Sequence, residues 1–179
     1  RFRCDRGTVI LNRAPKMFSP GIGWHVCVRA IVVTGQRSYQ VLVYAADTLR
    51  AEIVRPIEGR PTPPDAPVRL HPNGQYVGLR TCLASGLELA EAFGVEPQLP
   101  VVRDVLFAPN GQLWVERFSL PDEPPQIDVF DLTSGYLGTL HAPFPSGFLS
   151  RGRFVAALAN DVDDTGMAVA VVTLAPAPW

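Results

Sequence analysis

Val105-Leu106-Phe107-Ala108-Pro109-Asn110-Gly111-Gln112-Leu113-Trp114 is the stretch on which the fold class turns. It reads as two apolar strands meeting at a bend. Asn-Gly supplies the two positive-φ positions of a type I′ hairpin turn, and the preceding proline stands where a missing N–H costs little. The same frame occurs upstream as Val68-Arg69-Leu70-His71-Pro72-Asn73-Gly74-Gln75-Tyr76-Val77, aligned without gaps and sharing Pro-Asn-Gly-Gln. Gly74 and Gly111 are 37 residues apart. A fainter copy, Leu149-Ser150-Arg151-Gly152-Arg153-Phe154-Val155, puts Gly152 41 residues beyond Gly111. Strand–turn–strand units recurring at this period predict a row of small antiparallel sheets.

Working outward, Gln126-Ile127-Asp128-Val129-Phe130-Asp131 reads as a strand, Leu132 to Gly135 as its turn and Tyr136 to Leu140 as its return. Tyr39 to Tyr44 and Leu49 to Val54 repeat that outer hairpin, and Trp24 to Val33 and Met167 to Leu174 complete the strands. Val26-Cys27-Val28, Ile31-Val32-Val33 and Ala168 to Val172 are apolar on both faces, as in a sheet covered by neighbours on both sides. One short helix is expected at Gly86 to Phe93, with Ser85 and Glu88 as a capping box and Gly94 as its stop. Five prolines between Pro56 and Pro67 predict an extended linker. The expected organisation is a single all-β domain over 1–179, β-propeller-like, with about four antiparallel blades and at most one short helix. It has an extended lead-in at 1–20, the inter-blade linker at 56–67 and a proline-rich tail at 175–179.

The segments Phe107-Ala108-Pro109-Asn110-Gly111-Gln112-Leu113-Trp114-Val115, Ile127 to Asp131 and Gly135 to Gly138 resemble the six-bladed β-propeller superfamily (NHL- and TolB-like proteins). Each blade there carries a Pro-Asp/Asn-Gly-x-Leu-Trp-Val inner hairpin and a Val-Phe-Asp-x-x-Gly-x-x-Leu outer one. The likeness is good over about 101–140, passable to Leu174 and thin before Val68, so it implies the C-terminal blades only. It implies a fold and leaves the activity open, because the superfamily holds hydrolases, lyases, binding proteins and scaffolds. Six blades of ~40 residues need about 240 residues, so the chain is expected to lie against another protein, or to lack N-terminal blades.

Composition narrows the rest. Of 179 residues 47% are hydrophobic and 18% charged, which excludes a disordered chain. The net charge of −1 gives no field favouring nucleic acid or an anionic membrane. Eighteen prolines suit many short strands with rigid connections, since proline is excluded from helix interiors and central ladders. Among 16 basic residues Lys16 is the only lysine, which reads as a compositional bias. No apolar run reaches the ~18 residues of a membrane span. The chain opens on Arg1 with no leader pattern, so an anchor is expected upstream or on a partner.

Few residues point to chemistry. Asp161-Val162-Asp163-Asp164-Thr165-Gly166 opens like a calcium loop, with oxygen ligands at alternate positions, but Val172 stands where the bidentate glutamate belongs. Asp161, Asp163 and Asp164 are therefore the weak metal candidates, read first as a polar hairpin tip; no other cofactor is expected. Cys4, Cys27 and Cys82 are too widely spaced for a zinc site. One disulfide with a free thiol, in any of three pairings, stands beside three unpaired thiols. His25 with Cys27 lacks an orienting third group, and His71 and His141 share no spacing with them. No nucleophile elbow, phosphate loop or dinucleotide fingerprint occurs. Trp24, Trp114, Phe118 and Phe130 are expected to fill the space between sheets. The tail ending in Pro178 and Trp179, with Arg1 and Arg3, gives the candidate partner contacts.

These readings predict a non-catalytic, periplasmic or otherwise extracytoplasmic interaction module. It would be an accessory subunit on a larger assembly, membrane-bound respiratory or photosynthetic complexes included. The alternative is the C-terminal part of a propeller enzyme or ligand-binding protein, hydrolase- or lactonase-like, with its site at the funnel mouth.

Overall fold

The computed structural model describes residues 2–4, 7–9, 15–27, 30–77, 82–108, 111–141, 148–151, 154–160 and 167–173. In chain order the elements are β1 (Phe2–Cys4), β2 (Gly7–Val9), β3 (Ile22–Cys27), β4 (Ala30–Gly35), β5 (Gln40–Ala45), β6 (Thr48–Val54) and α1 (Ala66–Leu70). There follow β7 (Gln75–Val77), β8 (Cys82–Ala84), α2 (Gly86–Phe93), β9 (Val102–Phe107), β10 (Leu113–Arg117), β11 (Gln126–Asp131) and β12 (Gly135–His141). β13 (Phe148–Arg151), β14 (Phe154–Asn160) and β15 (Met167–Thr173) close the list. The chain is mostly β, and among the described residues every strand ladder is antiparallel and no sheet closes into a barrel.

Two compact units divide these elements: Arg1–Ser19 with Gly59–Pro100, and Pro20–Glu58 with Val101–Trp179. The second holds two four-stranded meanders, ordered β3-β4-β5-β6 and β12-β11-β10-β9, and a three-stranded sheet β13-β14-β15. Period-two alternation decides how the meanders pack. On the first, Val32, Val41 and Val43 point to one side and are fully buried. They form one core with Val105, Phe107, Leu113, Val115 and Phe130 of the second. The opposite side of the second meander carries another apolar cluster, Leu106, Trp114, Ile127 and Val129, with Ala108 just past the end of β9. So β9 to β11 are largely buried on both faces, whereas β3 and β4, whose two-sided apolar sequence predicted cover on both faces, leave Ile22, Trp24, Val26 and Ile31 exposed on one of them.

Gln36 stitches the two meanders together. Its side-chain oxygen accepts from the Gly21 N–H at 2.8 Å, its amide donates to the Arg103 carbonyl at 2.7 Å, and its carbonyl accepts from the Val101 N–H at 2.7 Å. At the β9–β10 bend, the Gly111 N–H donates to the Ala108 carbonyl at 2.9 Å with Gly111 at φ +84, and the Ala108 N–H donates to the Gln112 carbonyl at 2.8 Å. Only residues 109–111 separate the paired Ala108 and Gln112, so the hairpin has a three-residue loop with glycine in the left-handed region, not the two-residue I′ turn expected.

The first unit departs most from the sequence expectation. Val68 to Leu70 form part of helix α1 instead of a strand, so the structure has two short helices where at most one was expected. Prolines explain the difference: Pro67 lies in the first turn, where its fixed φ suits a helix start, and the N–H groups of Val68 and Arg69 donate to the Asp65 carbonyl. Gly74 has positive φ and Asn73 does not, which again rules out a I′ turn. β7 pairs with β8, not with residues 68–70. Helix α2 matches its expected bounds, and both halves of the Ser85–Glu88 capping box form. Met17 joins the two chain segments of this unit, its N–H donating to the Gly94 carbonyl and its carbonyl accepting from the Glu96 N–H, while Thr62 and Leu99 bond within the second segment, to Glu96 and Pro97 and to Arg60.

Candidate functional site

Asp128 is the polar centre of the second unit. It stands mid-strand on β11, opposite Val115 on one side and Thr139 on the other, and is fully buried. A buried carboxylate is tolerated only when its lone pairs are filled, and here donors come from four sides. Arg117 forks onto it, Nε to Oδ2 at 2.9 Å and Nη2 to Oδ1 at 2.8 Å. The Tyr39 hydroxyl donates to Oδ2 at 2.6 Å, and the Thr139 hydroxyl donates to Oδ1. Arg55 Nη1 lies 2.7 Å from Oδ2 without a well-aligned N–H, so this contact is a charge pair and not a full hydrogen bond.

Aromatic rings hold the second guanidinium in place. Arg55 lies over the Tyr136 ring at 4.3 Å and the Tyr39 ring at 5.5 Å. Arg117 also donates to the Gln126 side chain at 2.9 Å. Burial alone would raise the Asp128 pKa, but the hydrogen bonds from Arg117, Thr139 and Tyr39 and the adjacent Arg55 guanidinium outweigh it and hold the carboxyl at about 2. Burial, then the bond to Asp128, pushes the Tyr39 phenol upward. At neutral pH the cluster therefore keeps its protons where they are. It fixes β5, the β6 end, β10, β11 and β12 to one another, which is the work of an anchor.

Glu116 is the opposite case. It lies on β10 beside the Leu106–Trp114 cluster, almost wholly buried, and its Oε1 has no hydrogen-bond partner. Burial pushes its pKa up to about 7, with Arg103 opposing and Asp104 adding to the rise. Its pKa puts proton exchange near neutrality, while its side chain is almost wholly shielded from solvent.

The residues singled out from sequence fall in separate places. His25 packs on β9, its Nδ1 accepting from the Phe107 N–H at 3.3 Å, while Cys27 ends the same strand. His71 caps α1, and its carbonyl accepts from Gly74; burial lowers its pKa. His141 is at the exposed end of β12. Trp114 and Phe130 are core residues as expected, and Phe118 is half-buried with Arg103 over its ring at 6.0 Å. Trp24 is not in the core: it faces outward from β3, on the side of the meander turned away from β9 to β12. Asp161, Asp163, Asp164, Pro178, Trp179 and Arg1 lie outside the described residues. Arg3 and Cys4 lie on β1 and Cys82 on β8.

Asp128 and Glu116 were not singled out from the sequence. The available signal was an acid inside an otherwise apolar strand, Ile127-Asp128-Val129-Phe130, and an acid directly after Leu113-Trp114-Val115. No helix of the described residues is long and apolar enough to cross a membrane. Compared with known proteins, the chain matches no family model and no curated sequence.

Proposed function

We propose that the chain is a non-catalytic, extracytoplasmic interaction module of propeller type, an accessory subunit that packs on a larger assembly. One observation carries this reading: the outer face of the first meander is predominantly apolar, interrupted by the hydrogen-bonded pair Gln40 and Glu52, and it is open along β3. Along β3, Ile22, Trp24 and Val26 are 73%, 65% and 53% exposed. Register places Ile31 and Val33 of β4, Leu42 and Tyr44 of β5, and Val54 of β6 on the same face. A contiguous apolar sheet face of this kind marks an interaction surface.

The opposite face of the same meander supports the propeller part of the proposal. It stacks Val32, Val41 and Val43 on the second meander, in the way adjoining blades pack. A partner that covers the Trp24 face would continue that stack. The Asp128 cluster, spent on its own donors, favours a rigid scaffold over a reaction centre.

The test is the stoichiometry of the complex in which the full chain is purified from its native host. The proposal predicts a fixed ratio to a partner, lost in a Trp24→Glu/Val26→Glu variant whose melting temperature is unchanged. A wild-type chain found only as a free, monodisperse monomer would overturn it.

A further inference from the structure

We propose that Glu116 and Asp104 form a proton-gated joint that sets how firmly β3 is held against β9. The joint stands apart from the partner proposed above; only its bearing on the Trp24 face rests on that reading. Glu116 pairs with Asp104 across the β9–β10 ladder, and the next paired residues are Arg117 and Val102. Arg103 is therefore the extra residue of a bulge, which bends a strand and re-aims its side chains. The first meander hooks on at this bulge. The Gln36 amide donates to the Arg103 carbonyl, and the Gln36 carbonyl accepts from the Val101 N–H. Strand β3 reaches the same place: a Cβ built on Gly23 would stand 3.6 Å from Asp104 Oδ1 and 3.7 Å from the Arg103 carbonyl oxygen. The strand that presents the exposed Trp24 thus has its backbone against the Asp104 carboxylate.

Two carboxylates that share a site resist ionising together. Glu116 is 1% exposed and its Oε1 has no hydrogen-bond partner, so its ionised form is a buried charge without a donor there. Burial raises its pKa to about 7, with Arg103 opposing and Asp104 adding to the rise, which places the change of state near neutrality. The other charged or titratable groups of the described strands packed around it are engaged elsewhere. The Arg103 guanidinium lies over the Phe118 ring at 6.0 Å. Arg117 of β10 and Asp128 of β11 bond to each other on the opposite side of the sheet. From β3, His25 accepts the Phe107 N–H through Nδ1. Ionised Glu116 is therefore relieved when β3 lifts from β9 and water reaches the carboxylate pair. The hold is full at acid pH and is lost as pH rises toward 7. On the reading above, the placement of the Trp24 face then follows pH.

Amide hydrogen exchange of the full chain alone, corrected for the intrinsic pH dependence of exchange, tests the joint. The N–H groups of Val101 and Phe107 are the probes, because each donates to the first meander, to the Gln36 carbonyl and to His25 Nδ1. Both should be less protected than the amides of the β10–β11 ladder, since the joint opens without full unfolding. Their protection should fall about 30-fold from pH 5.5 to 8.5, the ratio for a carboxyl that moves from about 7 to its ordinary 4.5 on release. Glu116→Gln keeps His25 and should flatten the profile. Asp104→Asn removes the opposing charge and should reduce the fall. Protection at Val101 and Phe107 that is constant with pH, that declines equally in Glu116→Gln, or that equals that of the β10–β11 ladder would overturn the joint.

Discussion

Glu116 and Asp104 stand directly opposite one another across the β9–β10 ladder, two carboxylates at one register position, with the first of them buried. Like charges at such a position repel, and Glu116 has no hydrogen bond at Oε1 to offset its burial. The strand retains an acid where its neighbours Leu106, Trp114 and Ile127 are apolar.

The consequence is a stability that depends on pH in the neutral range. The folded-state pKa of Glu116, about 7, lies above its ordinary value of 4.5, so the folded state holds the proton more tightly than the unfolded one. Stability is then fully present below about 4.5 and falls as pH rises toward 7, by an amount on the order of 3 kcal/mol. Glu116→Gln removes the titration. Denaturant unfolding from pH 4.5 to 8 should show the wild-type decline and a flatter variant that is the more stable of the two at pH 8. An equal decline in both would show that Glu116 is not its source.

Asp128 gives the reverse dependence at the acid end. Its folded pKa of about 2 lies below the ordinary 3.8, so its contribution is present above about 3.8 and is lost as pH falls through 2. That contribution is about 2 kcal/mol. Removing the carboxylate costs more, because it strands two guanidinium groups. Asp128→Ala is expected to destabilise by ~3–5 kcal/mol. Arg117→Met should cost more than Arg55→Met, since Arg117 makes the aligned fork and Arg55 the unaligned contact. Chemical denaturation of the three variants checks the order, and equal losses at the two arginines would contradict it.

How far the sequence discloses this structure depends on which force dominates locally. Gln126 to Asp131 and Gly86 to Phe93 could be read to the residue, because alternation, a capping box and a terminal glycine all act within a few positions. Val68 to Leu70 misled: a ten-residue likeness to Val105–Trp114 counted for less than Pro67 in the first turn of a helix. Trp24 misled differently. Its strand is apolar on both faces, and alternation shows which residues share a face but not which face another sheet covers. Asp128 escaped notice because its partners Tyr39 and Arg55 lie far away along the chain and meet it only after the meanders stack.

Gly86 controls the contact between α1 and α2 and offers a test of the first unit by itself. It opens α2 and is buried. A Cβ built there would stand 2.0 Å from the Pro67 carbonyl oxygen and 2.8 Å from the Val68 nitrogen. Both are backbone atoms of α1 and neither can swing aside as a side-chain tip would. In an isolated helix Gly→Ala is favourable by up to ~1 kcal/mol, so helix propensity alone predicts a gain. Overpacking against fixed backbone costs about 1–3 kcal/mol, and the α1–α2 contact makes that term dominant. Gly86→Ala should therefore lower the melting temperature, and hydrogen exchange should report faster opening in α1 and α2 with β9 to β12 unchanged. A variant more stable than the wild type would mean that the two helices do not approach as closely as Gly86 and Pro67 do here.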